Sequence, residues 1–176
     1  MQIRELEARD EDALRRFLDA IPPEDRAFFK EDAADPAVVR HWIDDERGVR
    51  LAAVDDDGSL GAIAAVWPGV GRSSHVGDLR LLVAAGHRRE GVGRSLAREA
   101  LGAALRRGMW KISVEVVATQ QGTIDMFLAL GFVAEALLRD QLWSEGEPPE
   151  DVVLLSHLAD EAGQSVMLAA PDEAVA

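Results

Sequence analysis

The segment from Leu79 to Leu96 constrains the fold more than any other. An apolar run, Leu79 to Val83, passes through Ala84-Ala85-Gly86-His87-Arg88-Arg89-Glu90 into Gly91-Val92-Gly93-Arg94-Ser95-Leu96, the start of a long amphipathic stretch. A strand that turns through glycines into a helix N-terminus gathers unpaired backbone amides and the positive end of the helix dipole at one place, a geometry that binds anions. Arg88, Arg89 and Arg94 add full charges there. Two phosphate-binding patterns fail. A Walker loop needs Gly-Lys-Ser/Thr, and the only lysines are Lys30 and Lys111; a dinucleotide fingerprint needs a third glycine where Leu96 stands.

Overall charge argues the other way. The chain holds 32 acids against 19 Lys plus Arg, a formal charge of -13, which repels nucleic acid and anionic membranes over most of the surface. The charge is uneven. Residues 1–57 carry 17 acids and 9 bases, residues 58–130 carry 5 and 9, and residues 131–176 carry 10 and 1. Only the middle third is basic, and it contains the glycine-rich turn; on charge alone, a solvated arginine-rich helix face accounts for it equally well.

A length of 176 residues with 48% hydrophobic and 29% charged content fits one globular domain with its own core. The absence of cysteine excludes disulfides, thiolate metal sites and a cysteine nucleophile, and no metal site is expected. The start Met-Gln-Ile-Arg-Glu lacks a signal-peptide pattern and no apolar run reaches bilayer length, so a cytoplasmic protein without a membrane partner is expected.

Periodicity predicts a strand over Gln2 to Leu6, then a helix opened by Asp10 with Leu14, Phe17, Leu18 and Ile21 on its apolar face, stopped by Pro22-Pro23. A short helix over Glu24 to Lys30 and another from Pro36 through Trp42 follow. Strands Val49 to Val54 and Leu60 to Trp67 are joined by the turn Asp55-Asp56-Asp57-Gly58, whose acids lack the spaced downstream partner of a calcium loop. Then come a strand His75 to Val83, a helix Gly91 to Arg107, a strand Lys111 to Val117, a helix Gln121 to Leu130, and strands Phe132 to Asp140 and Val152 to Leu158. This alternation indicates an α/β or α+β sheet of mixed strand direction. The expected organisation is a domain over residues 1–158 and an acidic tail over 159–176.

Arg88, Gly91 and Gly93 form Arg-x-x-Gly-x-Gly, which resembles the pyrophosphate loop of the GNAT acetyltransferases. The apolar strand ending at Val83, the strand from Lys111 to Val117, and Gln120, Phe127 and Gly131-Phe132, where the family has Asn, Tyr and Gly-Phe, extend the resemblance, which covers about residues 1–158 and is tight over 79–132. It implies an acyl-CoA N-acyltransferase-like fold, a mixed and strongly twisted sheet flanked by helices whose fourth and fifth strands splay apart, with acetyl-CoA in the gap. By this resemblance Leu81, Leu82 and Val83 flank the pantetheine arm, the Leu81 and Val83 backbones pairing with it. The amides from Arg89 through Glu90, Gly91, Val92 and Gly93 to Arg94 hold the pyrophosphate, with Arg88 beside them, and Gln120 and Phe127 border the cofactor arm.

The implied reaction is direct attack of an amine on the acetyl thioester, without a covalent enzyme intermediate. Candidate bases are Asp78 and Glu115, with His75 behind them, and the oxyanion donor is a backbone amide near Val83. Each has a plainer reading as a solvated strand or loop residue, and His87 is expected to pack at the surface against the helix start. One departure weakens the catalytic reading: Phe127 stands where many members have a Tyr that protonates the leaving thiolate, and the chain has no tyrosine at all. Thr119, Thr123 or water are the remaining donors, and the alternative is an acetyl-CoA-binding module of weak or no activity. Glu24, Asp25, Glu31 and Asp32 point to a cationic acceptor, whether polyamine, aminoglycoside or protein lysine, unless they are only solvated helix faces. A monomer or homodimer is expected.

Overall fold

The computed structural model describes residues 1–22, 35–143, 146 and 148–159. The expected helix over Glu24 to Lys30, the acids Glu24, Asp25, Glu31 and Asp32, and the tail from Asp160 lie outside these residues. Seven strands form one sheet: β1 (Gln2–Glu5), β2 (Val49–Val54), β3 (Leu60–Pro68), β4 (Val76–Val83), β5 (Lys111–Val117), β6 (Val133–Leu142) and β7 (Glu150–Leu158), in the order β1-β2-β3-β4-β5-β7-β6. The described helices are α1 (Glu11–Ala20), α2 (Pro36–Asp44), α3 (Val92–Arg106) and α4 (Gln121–Ala129). None is long and apolar enough to cross a membrane.

Both sheet faces are covered, so β2 and β3 read as nearly continuous apolar runs. On one face α3 buries Leu96, Ala97, Ala100, Leu101 and Ala104 against Val49, Leu51, Ala62, Ala64, Val66 and Leu79, and Ile124 and Phe127 of α4 join them. On the other, α1 and α2 pack Leu14, Phe17, Leu18, Val39, Trp42 and Ile43 on Ala52, Val54, Ile63, Ala65 and Leu82. The alternation of side chains along each strand assigns odd positions of β4 to the first face and even positions to the second.

Element boundaries differ from the sequence pattern where local chemistry intervenes. Asp10 does not cap α1 with its side chain. Its carboxylate accepts from Arg4 Nη1 at 2.6 Å, Arg4 Nη2 at 2.7 Å and the Glu7 N–H at 2.8 Å, locking a 3-10 turn between β1 and α1. The Arg4 hydrogen bond, followed by burial acting in the opposite sense and the Glu7 amide, sets the Asp10 carboxyl below its ordinary range. Helix α1 ends at Ala20 because Ile21 is extended, at φ -71 and ψ 129, as a residue before proline prefers. At the far end of α3, Arg107 donates to the carbonyls of Glu46 at 3.1 Å and of Gly48, and to Glu5 Oε1 at 3.1 Å, fastening the helix to the β1–β2 edge.

One pairing positions the site. All neighbouring strands are antiparallel except β4 and β5, which are parallel and pair only through Val76↔Lys111, Gly77↔Ile112 and Asp78↔Ser113. Beyond Asp78 and Ser113 they separate. β4 stays with β3 as far as Val83↔Ala62, and β5 stays with β7 as far as Val117↔Val152. Each strand follows its outer neighbour, and the sheet opens between them, as the resemblance implied.

Candidate functional site

The opening between β4 and β5 is the mouth of a cleft of about 790 Å³. One wall is β4 from Asp78 to Val83, the other is Val114, Glu115 and Val116 of β5. The far end is closed by Arg88, Arg89, Gly91, Gly93 and Arg94 at the start of α3, and the side by Gln120, Thr123, Met126 and Phe127 around α4.

Backbone direction along β4 follows from a single hydrogen bond. The Ala84 N–H donates to the Gly61 carbonyl at 2.9 Å, and the β3–β4 register has no shift, so even-numbered residues turn their amides and carbonyls toward β3. Leu79, Leu81 and Val83 therefore turn theirs toward the opening. The Val83 carbonyl accepts from Arg88 Nε at 3.1 Å, which draws that arginine back along the strand end.

The loop into α3 reverses twice through left-handed residues, Arg89 at φ 66 and Gly91 at φ 82. Gly91 occupies the N-cap position with no side chain to bond the first-turn amides, so the donors at the helix start are left to whatever occupies the cleft. Gly93 answers a different need. A Cβ there would lie 3.1 Å from Val83 Cγ2, 3.7 Å from Leu81 Cδ2 and 4.0 Å from Met126 Sδ, so a larger residue obliges the Val83 side chain to give by a few tenths of an ångström.

Glu90 and Val92 do not line this cleft. They face a second groove on the other side of the loop, with Met1, Ile3, Ala53, Ser95, Arg98 and Glu99. The Glu90 carboxylate approaches His87. His87, expected at the surface against the helix start, is part-exposed at the edge of the cleft, with Nε2 3.1 Å from Asp55 Oδ2 and Nδ1 3.6 Å from Glu90 Oε2 in the loop that leads into α3. The imidazole thus lies between the β2–β3 turn and the loop.

Of the candidate bases, Asp78 and Glu115 both line the cleft, and His75 does not. His75 stacks on Trp110 with ring centroids 4.1 Å apart at the opposite end of β4. Asp78 Oδ2 lies 3.3 Å from Arg80 Nη2. Arg80 and Met126 are among the lining residues that the sequence did not reveal; the place of Arg80 between apolar neighbours on a strand gave no signal until the strand was seen to border a gap. Phe127 is 1% exposed and meets Phe132 edge-on at 5.1 Å, so its ring belongs to the core as much as to the cleft. Thr123 supplies the hydroxyl among the described lining residues, while Thr119 lies outside them. Among the described residues no group of three or more His, Cys, Asp or Glu is placed to hold a metal ion.

A family profile described as the Acetyltransferase (GNAT) family matches residues 9–132. No curated protein matches the chain in sequence. Among solved structures, a GNAT-family acetyltransferase from Streptococcus pneumoniae superposes with a TM-score of 0.77 at 22% identity, covering 90% of this chain and 99% of that one. A ribosomal-protein-alanine N-acetyltransferase from Brucella melitensis gives 0.78 at 20% identity, covering 90% and 100%. A chimeric spermidine N-acetyltransferase from Vibrio cholerae gives 0.73 at 19%, covering 96% and 98%. These likenesses establish a shared fold.

Proposed function

The chain belongs to the GNAT acetyltransferase family, whose members are acetyl-CoA-dependent acyltransferases, and from that premise we propose that it moves the acetyl group of acetyl-CoA directly onto a primary amine. The observation that carries this reading is the cleft itself: a gap between two parallel strands that ends on uncapped helix amides and three arginines. In it the pantetheine arm runs along β4, taking the outward backbone groups of Leu81 and Val83 as a neighbouring strand would. The pyrophosphate lies at the start of α3, against the amides from Gly91 to Arg94 and the charges of Arg88, Arg89 and Arg94. Glu90 and Val92 contribute backbone only, and Leu82, Gln120 and Phe127 border the arm.

Chemistry follows at the open end. Asp78 or Glu115, directly or through a water, takes a proton from the ammonium, and the freed nitrogen lone pair attacks the thioester carbonyl carbon. The Val83 N–H, which faces the gap, stabilises the tetrahedral oxyanion. The C–S bond then breaks and the sulfur leaves with its electron pair, protonated by water or by the Thr123 hydroxyl. Phe127 has no proton to give, so this step lacks the help that a phenol supplies in many relatives. That single feature favours a second reading, an acetyl-CoA-binding module of little or no activity. We place the protein in the cytoplasm as a monomer or homodimer.

Calorimetry with acetyl-CoA, followed by thiol release across a panel of amines, separates the readings. Binding with turnover is expected. Binding without turnover on any amine supports the second reading, and no binding refutes both.

A further inference from the structure

The acids of the β2–β3 turn have no part in the reaction just described, yet one of them reaches the loop that closes the cleft. Asp55 Oδ2 lies 3.1 Å from His87 Nε2, within hydrogen-bond distance, and the two side chains are part-buried at 27% and 30% exposure. The imidazole has a seat in the sheet. A Cβ on Gly61 would lie 3.0 Å from His87 Cδ2 and 3.2 Å from His87 Cγ, so the bare backbone of β3 makes room for the ring. Next to it the Ala84 N–H donates to the Gly61 carbonyl at 2.9 Å and fixes the end of β4.

The two segments joined by this contact differ in character. The turn is firm: the Asp55 N–H donates to the Ser59 carbonyl at 2.9 Å, the Gly58 N–H donates to the Asp55 carbonyl at 2.9 Å, and Asp57 Oδ1 accepts from the Ser59 N–H at 2.9 Å and the Ser59 hydroxyl at 2.6 Å. The loop is strained. His87 and Glu90 bracket Arg89, which is held at φ 66, a left-handed conformation unfavourable for a residue with a Cβ, and Gly91 follows as the N-cap of α3. Such a conformation persists only where its surroundings fix it. The imidazole supplies contacts on both sides, with Nε2 at Asp55 of the firm turn and Nδ1 3.6 Å from Glu90 Oε2 across the strained residue.

Resting on the acetyltransferase reading, we infer that His87 and Asp55 are a pair of positioning residues for the acetyl donor. They hold the loop from Arg88 to Gly91 in the conformation that presents the first-turn amides of α3 to the pyrophosphate of acetyl-CoA, and Asp55 acts through His87. The pairing carries a prediction of sign. A carboxylate near an anion site repels the anion, so by charge alone the loss of Asp55 tightens binding. As the loss of a positioning residue, it loosens binding.

The test is calorimetric titration of the full chain with acetyl-CoA, with thermal unfolding of the unliganded protein alongside. His87→Ala and Asp55→Ala should each raise Kd by about 3- to 10-fold, the worth of one partly exposed hydrogen bond, and the double variant should raise it no further than either alone. Asp55→Asn keeps an oxygen to accept from Nε2, and His87→Gln keeps a donor of similar reach, so both should stay within about twofold of the wild-type Kd. Asp56→Ala removes the same charge from the neighbouring position of the turn and should leave Kd unchanged or lower it. A merely structural role moves Tm and leaves the Kd of the folded protein where it was, and that result overturns the inference. Tighter binding by Asp55→Ala overturns it too, by reducing Asp55 to a repelling charge. A loss in His87→Ala without one in Asp55→Ala, or fully additive losses in the double variant, assigns the imidazole to direct contact with the cofactor and overturns the pairing. Each of these leaves the acetyltransferase reading intact, whereas no acetyl-CoA binding by the wild-type protein overturns both.

Discussion

Two glycines at the start of α3, the N-cap Gly91 and Gly93 in the first turn, serve different physical ends, and exchanging each for valine separates the effects. At Gly93 the first added carbon meets Val83 Cγ2 at 3.1 Å and Leu81 Cδ2 at 3.7 Å, and the two further methyls of valine enter the same space. Overpacking of this kind costs about 1 to 3 kcal/mol. The fold offsets only a few tenths of it, because valine in a helix is about 0.3 kcal/mol better than glycine, and the adjoining cleft lets Leu81 and Val83 move. That movement narrows the channel proposed for the pantetheine arm, so the penalty falls on binding. At about 1.4 kcal/mol per decade it raises the acetyl-CoA Kd by about 5- to 150-fold, with Tm moving only a few degrees at about 2 to 4 °C per kcal/mol. At Gly91 an added Cβ meets nothing within 4 Å, but the residue sits at φ 82. Valine there stores about 1 to 2 kcal/mol or more of backbone strain, and the loss appears first in Tm. Gly102→Ala, in the body of α3 where the nearest atom is Arg106 Nη1 at 3.3 Å, serves as a control with unchanged affinity. The assays are calorimetric titration with acetyl-CoA and thermal unfolding on the same preparations. A folded Gly93→Val protein that binds acetyl-CoA with wild-type affinity refutes the path of the arm along β4 past the start of α3.

Three further outcomes are expected. Phe127→Tyr should raise kcat by about tenfold or more if thiolate departure limits turnover, within the usual span for general acid catalysis, and a flat kcat assigns that proton to water. Glu115→Gln and Asp78→Asn should be compared by pH–rate profile: the true base loses about 10²-fold or more in kcat and its acid limb, while the other retains both. Because Arg4 holds the Asp10 carboxyl below its unfolded value, the stabilisation is complete above the ordinary carboxylate range and is lost as pH falls through the folded value. Asp10→Asn should therefore cost about 1.5 to 3 kcal/mol at neutral pH, and the gap in urea unfolding should begin to close only below the ordinary carboxylate range and vanish once the pH has fallen past the lowered folded value; a gap that stays constant through that range contradicts this account.

Much of the site was legible because its parts are local. The turn through Gly91, the amides of the first turn of α3 and the arginines beside them lie within a few residues of one another, and the alternation along Lys111 to Val117 follows from a period of two. The same locality misled where a side chain found a distant partner. Asp10 looks like a helix cap until Arg4 takes its carboxylate, and His87 shows no partner in the sequence until the fold sets it 3.1 Å from Asp55 of another turn.

The sequence by itself determined the secondary elements, the anion-binding turn between β4 and α3, and the absence of a phenol for the leaving thiolate, since each depends on neighbours in the chain or on composition. Only the tertiary structure decided that β4 and β5 pair at three positions and then part, because that depends on β3 and β7 holding their outer edges. It also set Arg80 and Glu115 on the two walls of one cleft. Those residues lie in separate strands, and their juxtaposition follows from a parallel register that no local pattern encodes, fixed by the burial of both sheet faces beneath helices.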